Sequence, residues 1–212
     1  MSVLSQSTIA RKVTVSGIGI HTGEKVTMNI LPAAPNSGIV FKRIDIRQNN
    51  IVIPNFENVS EATLCTTISN QFGVKVSTIE HLMAAFLGLG LDNALVELDS
   101  QEVPILDGSA KDFVKILKEV GLKSSDVPIK LIKINNYVEL EEDNKFISIN
   151  KTNTSLEIDF EISYKNQLIK NQKNKINVFE DNLDEIFTSR TFCLYEDIEK
   201  LNKLGLGKGG SL

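Results

Sequence analysis

This sequence predicts an α+β fold in two domains, and three observations carry that prediction. Strand-forming runs punctuated by glycine and proline occupy the first third of the chain. Two stripes of apolar residues at helical spacing follow, between Ser77 and Val120. After a break near Lys123–Pro128 the pattern restarts, again with strands before a helix.

The elements follow in order. Val13-Thr-Val15, Val26-Thr-Met28-Asn-Ile30 and Ile39-Val-Phe41 alternate or cluster β-formers, separated by Gly17, Gly19, Gly23 and the turn stretch from Pro32 to Gly38. Ile79, Leu82, Met83, Phe86 and Leu87 fall on one face of a helix over Ser77–Gly90. A strand is predicted at Ala94–Leu98. A second helix at Ser109–Val120 has Phe113, Ile116, Leu117 and Val120 as its stripe and Gly121 as its stop. The break at Lys123–Pro128 then divides the chain into domains 1–125 and 126–212. In the second, strands are predicted at Ile129–Ile134, Tyr137–Leu140, Phe146–Ile149 and Leu156–Tyr164. Glu141–Lys145 reads as a hairpin loop, Lys165–Lys175 as an exposed loop, and Tyr195–Leu204 as a helix ending at Gly205. No closing strand and second helix match those of the first half, and Gly207-Lys-Gly-Gly-Ser-Leu212 is a turn that leads onward. The second domain therefore reads as incomplete at its C-terminus, with an unfinished apolar face expected to aggregate or to pair with a complementing chain.

Composition narrows the function. A 212-residue chain with 42% hydrophobic and 24% charged residues is ordinary for a globular protein. A net charge of −4 gives no electrostatic footprint for nucleic acid. The longest uncharged apolar run, Leu82–Leu91, is ten residues, against about 20 for a bilayer span. The first residues lack the form of a signal peptide, so a cytoplasmic location is expected, with Cys65 and Cys193 as thiols.

Three motifs could carry chemistry. Ser77-Thr-Ile-Glu80 reads first as a capping box, Ser77 capping and Glu80 reaching back to its amide. His81 lies opposite the apolar stripe, on a face of Ala84, Ala85 and Gly88, which predicts a helix buried on both sides. Such a histidine can be a satisfied core residue, a general base or a metal ligand. His21, after a Gly-Ile-Gly turn, and Asp107, just before the second helix, read equally well as surface and turn residues. No close metal-ligand pair, dinucleotide or phosphate loop, or Gly-x-Ser-x-Gly is present.

The ordered set of segments is more specific than any one of them. Gly17-Ile-Gly-Ile-His-Thr-Gly23, Leu64-Cys-Thr66, Ser77-Thr-Ile-Glu-His-Leu82 and Gly88-Leu-Gly-Leu-Asp-Asn93 are followed by Pro104-Ile-Leu-Asp-Gly-Ser-Ala110, Ser189-Arg-Thr-Phe192 and Gly205-Leu-Gly-Lys-Gly-Gly-Ser211. In order and spacing they resemble the zinc-dependent UDP-3-O-acyl-N-acetylglucosamine deacetylases of lipid A biosynthesis, over essentially the whole chain. The resemblance implies a two-domain β-α-α-β sandwich with its active site between the domains. It implies hydrolysis of the substrate's N-acetyl group to UDP-3-O-acyl-glucosamine and acetate, with Zn2+ as cofactor. By the same resemblance His81 is a zinc ligand, Glu80 the general base for zinc-bound water, and Thr191 the hydrogen-bond donor to the oxyanion. Ile20, Leu64, Cys65, Phe192, Ile198 and Leu204 are the implied substrate-binding residues, the last two on an insert lining the acyl passage.

The family's His-Lys-x-x-Asp-x-x-Gly-Asp segment, which supplies two further zinc ligands, is not in this sequence, and the chain reads as truncated before it. Cys193 stands where the family usually has glycine. The alternative reading is an inactive remnant that binds the nucleotide sugar or a complementing C-terminal chain.

Overall fold

Residues 4–152 and 156–210 are described by the computed structural model. They divide into a larger unit, Met1–Ile129 with Asp184–Leu212, and a smaller one, Lys130–Leu183. Mixed helices and sheets make the fold α+β. No helix among the described residues is long and apolar enough to cross a membrane.

In the larger unit the strands are β1 (Ser5–Ile9), β2 (Val13–Ile18), β3 (Lys25–Pro32), β4 (Ile39–Arg43), β5 (Ile51–Val52), β6 (Val59–Glu61), β7 (Thr67–Ser69) and β8 (Lys75–Val76). Helix α1 (Glu80–Leu89), β9 (Ala94–Leu98), α2 (Lys111–Val120) and β10 (Leu122–Pro128) follow. The central sheet has the order β2-β3-β9-β4-β5, antiparallel except for the parallel β4–β9 pair. Along β3 every second residue, Val26, Met28 and Ile30, is buried, the period of a sheet with one face on a core. Phe41, Val96 and Leu98 add to that core, as do Leu82 and Phe86 of α1 and Phe113 and Leu117 of α2. Each such side chain contributes about 1.5–3 kcal/mol through burial.

Helix α1 starts three residues later than the predicted Ser77. Thr78 has φ of 57°, a left-handed conformation that a right-handed helix cannot include. Ser77 and Glu80 do not cap each other: the Ser77 hydroxyl accepts from Thr67 Oγ1 at 3.0 Å, and Glu80 Oε2 accepts from the Thr66 amide at 3.1 Å. The helix ends as predicted at Gly90, left-handed at φ 67°, where the Gly90 and Leu91 amides return to the Leu87 and Phe86 carbonyls. Burial on both sides is only partly found, since Ala85 is buried while Ala84 and Leu87 are exposed. Strand β10 runs across the predicted break and pairs with β1 from Ser5↔Pro128 to Ile9↔Leu122, which carries the larger unit to Ile129.

The smaller unit holds two antiparallel hairpins, β11 (Val138–Glu142) with β12 (Lys145–Ile149) and β13 (Glu157–Ser163) with β14 (Asn171–Asn177). The strand predicted at Ile129–Ile134 does not form. Leu131 and Ile132 are exposed there, and no partner strand pairs with the segment among the described residues. The predicted loop Lys165–Lys175 shortens because β14 begins at Asn171, inside it, and pairs with β13. Val138, Leu140, Phe146, Ile147 and Phe160 on the hairpins are exposed. Helices α3 (Asp184–Thr188) and α4 (Tyr195–Lys203) belong to the larger unit.

One ion pair ties that unit's edge together. Arg43, buried on β4, donates to Asp45 at 2.9 and 2.6 Å and to the Lys75 carbonyl on β8 at 2.9 Å. The Arg43 guanidinium holds the Asp45 carboxyl below the usual aspartate range. A lowered folded-state value means the pair's stabilisation is present above the unfolded value of about 3.9 and is lost as the pH falls through the folded one. Asp45→Asn is therefore expected to lower the unfolding midpoint at pH 7 and to match wild type in strong acid. Urea titrations at both pH values check this, and a deficit that persisted in acid would contradict it.

Candidate functional site

The site is built from short segments that converge at the start of α1. Three of them contain a non-glycine residue in the left-handed region: Leu64 (φ 63°), Thr78 (φ 57°) and Leu106 (φ 53°). Each stands one or two residues before a side chain of interest, respectively Cys65, Glu80 and Asp107. Backbone strain of this kind costs about 1–3 kcal/mol per residue and persists only where the surroundings enforce it.

Glu80 and His81 form the first turn of α1, both half-buried. The Thr66 amide fixes one Glu80 carboxylate oxygen, which joins the Leu64-Cys-Thr66 segment to the helix. Burial pushes His81 below the ordinary imidazole value, opposed by the nearby Glu80 and Asp107 carboxylates. The neutral ring is the form that can accept a proton or ligate a metal. Asp107 is exposed and lies in a turn of its own making: its Oδ1 accepts from the Ser109 hydroxyl at 2.6 Å and the Ser109 amide at 3.0 Å. Those bonds hold its carboxyl low, and Lys111 and Arg190 add to the effect. Ser109 Oγ then accepts from the Lys111 amide at 3.1 Å, a local contact at the start of α2, whose N-cap is Ala110.

His21 and Cys65 form a second polar pair. The neighbouring Cys65 thiol is the main influence raising His21's proton affinity, burial opposes it, and Glu102 adds to the rise. In return His21 holds the Cys65 thiol below its ordinary value. His21 Nδ1 is shut away from solvent and completes no hydrogen bond among the described residues.

The last segment of the chain reaches the same region. The Thr191 amide donates to the Gly108 carbonyl at 3.0 Å, setting Thr191 beside the Asp107 turn. The Gly209 amide donates to the Ile20 carbonyl at 2.9 Å, which lays the glycine-rich turn against the His21 loop. A Cβ on Gly209 would strike the Gly19 carbonyl, so glycine is required there by close approach. Ile20 is half-buried in that loop and Leu64 is exposed. Phe192 is 49% exposed next to Thr191. Ile198, half-buried, lies on α4, and Leu204, exposed, is its C-cap.

Sequence reasoning missed Glu102. It is fully buried, with hydrogen bonds to both the His21 loop and Thr78. A single acidic residue in Gln101-Glu-Val-Pro104 carries no periodic or motif signal. The only trace of it is the Gly17-Ile-Gly19 spacing, which marks a close approach without naming what approaches.

The family model described as "LpxC: UDP-3-O-acyl N-acetylglycosamine deacetylase" matches residues 6–212. A UDP-3-O-acyl-N-acetylglucosamine deacetylase of Actinobacillus pleuropneumoniae serotype 3 (strain JL03) is 38% identical, over 99% of this chain and 70% of its own length. The protein of that name from Pseudoalteromonas atlantica is 37% identical, with coverage of 99% and 70%. The one from Shewanella baltica (strain OS155) is 38% identical, with 99% and 69%.

The electrostatics of the two histidines give a direct test. As they are the only two in the chain, NMR titration should resolve one imidazole below and one above the ordinary value of about 6.5. His81→Ala should remove the low one and His21→Ala the high one. The reverse assignment would contradict the geometry described.

Proposed function

This chain belongs to the LpxC family of UDP-3-O-acyl N-acetylglycosamine deacetylases, and on that premise we propose that it serves hydrolysis of the N-acetyl group of UDP-3-O-acyl-N-acetylglucosamine. The products are UDP-3-O-acyl-glucosamine and acetate, in the committed step of lipid A biosynthesis, a reaction of the cytoplasm. The observation that carries the reading is the convergence, within one compact unit, of Glu80 and His81 with Cys65, Asp107 and Thr191. In the family's terms residues 1–125 are a first domain carrying the Glu80–His81 helix, and residues 126–212 belong to the second.

Zinc is the cofactor expected of the family. His81, whose proton affinity burial lowers, suits one ligand position. A catalytic zinc takes three protein ligands, and among the described residues no three His, Cys, Asp or Glu side chains gather to hold a metal. By themselves, then, the described residues do not fit a catalytic zinc.

The chain's own side chains have separable roles. Glu80 is the general base: its Oε2 is held by the Thr66 amide, while Oε1 has no hydrogen bond among the described residues and can take a proton from the attacking water. Thr191 donates its hydroxyl to the oxyanion that forms as the amide carbonyl becomes tetrahedral. As the C–N bond breaks, the proton taken by Glu80 passes to the nitrogen, leaving the sugar amine and acetate. Ile20, Leu64, Cys65 and Phe192 line the approach to these groups, and Ile198 and Leu204 extend the apolar side toward the 3-O-acyl chain.

Acetate release from UDP-3-O-acyl-N-acetylglucosamine tests the proposal, measured with zinc supplied. Glu80→Gln is expected to cut the rate by about 10²–10⁴-fold and Thr191→Val by about 10²–10³-fold. Binding of the nucleotide sugar without acetate release by the wild-type chain would favour the remnant reading instead.

A further inference from the structure

We propose that Glu102 is a positioning residue, clamping the loop that carries His21 to the segment that launches Glu80 and His81. Its carboxylate is fully buried and lies between two other pieces of chain, the His21–Thr22 loop and the Thr78 segment. Oε1 accepts from the His21 amide at 3.0 Å and from Thr78 Oγ1 at 2.8 Å. Oε2 accepts from the Thr22 amide at 2.9 Å and from Thr22 Oγ1 at 2.8 Å. The backbone around it makes the same junction: the Ser77 amide donates to the Gln101 carbonyl at 2.8 Å, Val103 to Ser77 at 3.1 Å, and Ile105 to Ile18 at 3.0 Å.

Two features set this apart from a carboxylate that merely fills space. No cation pairs with it among the described residues, so the cost of its burial is met by four neutral donors aimed at two oxygens. An apolar side chain of similar volume would avoid that cost, but could not hold the loop and Thr78 in one register. The neighbours are also shaped around the carboxylate. A Cβ on Gly19 would collide with Glu102 Oε2 and Thr22 Oγ1, and Thr78 adopts its left-handed conformation while donating to Oε1. Since Thr78 stands two residues before Glu80, a shift of this bond moves the first turn of α1.

The placement follows from the structure alone; its effect on rate rests on the deacetylase reading. The test compares wild type with Glu102→Gln, Glu102→Asp and Val114→Ala. Val114 is buried on α2 and controls for general loss of stability. The first readout is the His21 imidazole titration by NMR. Glu102→Asp keeps the charge but cannot span both partners, so both Glu102 variants should bring His21 down toward about 6.5, while Val114→Ala leaves it raised. The groups acting on His21 are Cys65, Glu102 and the Leu64 backbone, and Cys65 is unchanged in every variant.

The second readout is turnover, where a misplacement of about 1 Å should lower kcat by about 10²-fold in both Glu102 variants. A wild-type His21 titration in Glu102→Asp would overturn the clamp, as would an equal shift in Val114→Ala. Shifted titrations in the two Glu102 variants, with no acetate released even by wild type, would leave the clamp standing and remove the deacetylase reading.

Discussion

The Glu102 carboxylate is the interaction on which the geometry of this site depends. Four donors from two separate segments meet at its two oxygens, in a place that water does not reach. Hydrogen bonds to a charged group are worth roughly twice neutral ones, and removing the acceptor strands every donor at once. The site is thus organised from behind. Glu102, Thr78, Gly108 and Ser109 are buried, while Glu80, His81 and Cys65 are half-buried and Asp107 and Thr191 exposed in front of them. A hydrogen-bonded inner layer with accessible groups before it holds those groups in place before any ligand arrives.

The same layer separates the two histidines electrostatically. His81 loses proton affinity because its surroundings desolvate it more than Glu80 and Asp107 compensate. His21 gains affinity because Cys65 and Glu102 outweigh its burial. Two imidazoles in one unit are therefore shifted in opposite directions from the ordinary value. The left-handed conformations of Leu64, Thr78 and Leu106 belong to the same arrangement, since each turns the chain just before Cys65, Glu80 or Asp107.

Much of the scaffold was legible in the sequence because periodicity and glycine placement are local signals. Strand β9 and the end of α1 at Gly90 fall where the pattern placed them. The start of α1 was not legible, because Thr78's conformation is imposed by Glu102, a contact across 24 positions. Strand β10 was hidden for a similar reason: Leu122–Pro128 is polar and poor in β-formers, and it is a strand because β1 pairs with it. At the site, the ordered motifs pointed to Glu80, His81 and Thr191, which lie in the larger unit with Cys65 and Asp107. The buried glutamate behind them was invisible, since a charged side chain in a short segment normally signals solvent.

The central claim is that these groups together serve one acylated nucleotide sugar. Its most direct test is substrate protection of Cys65, whose thiol His21 holds below its ordinary value. Iodoacetamide labelling of Cys65 would be followed by mass spectrometry with UDP-3-O-acyl-N-acetylglucosamine or, as control, adenosine monophosphate. The account predicts that the acylated sugar nucleotide slows labelling in proportion to its occupancy while the control does not. Labelling of Cys65 at an unchanged rate in saturating sugar nucleotide would contradict it.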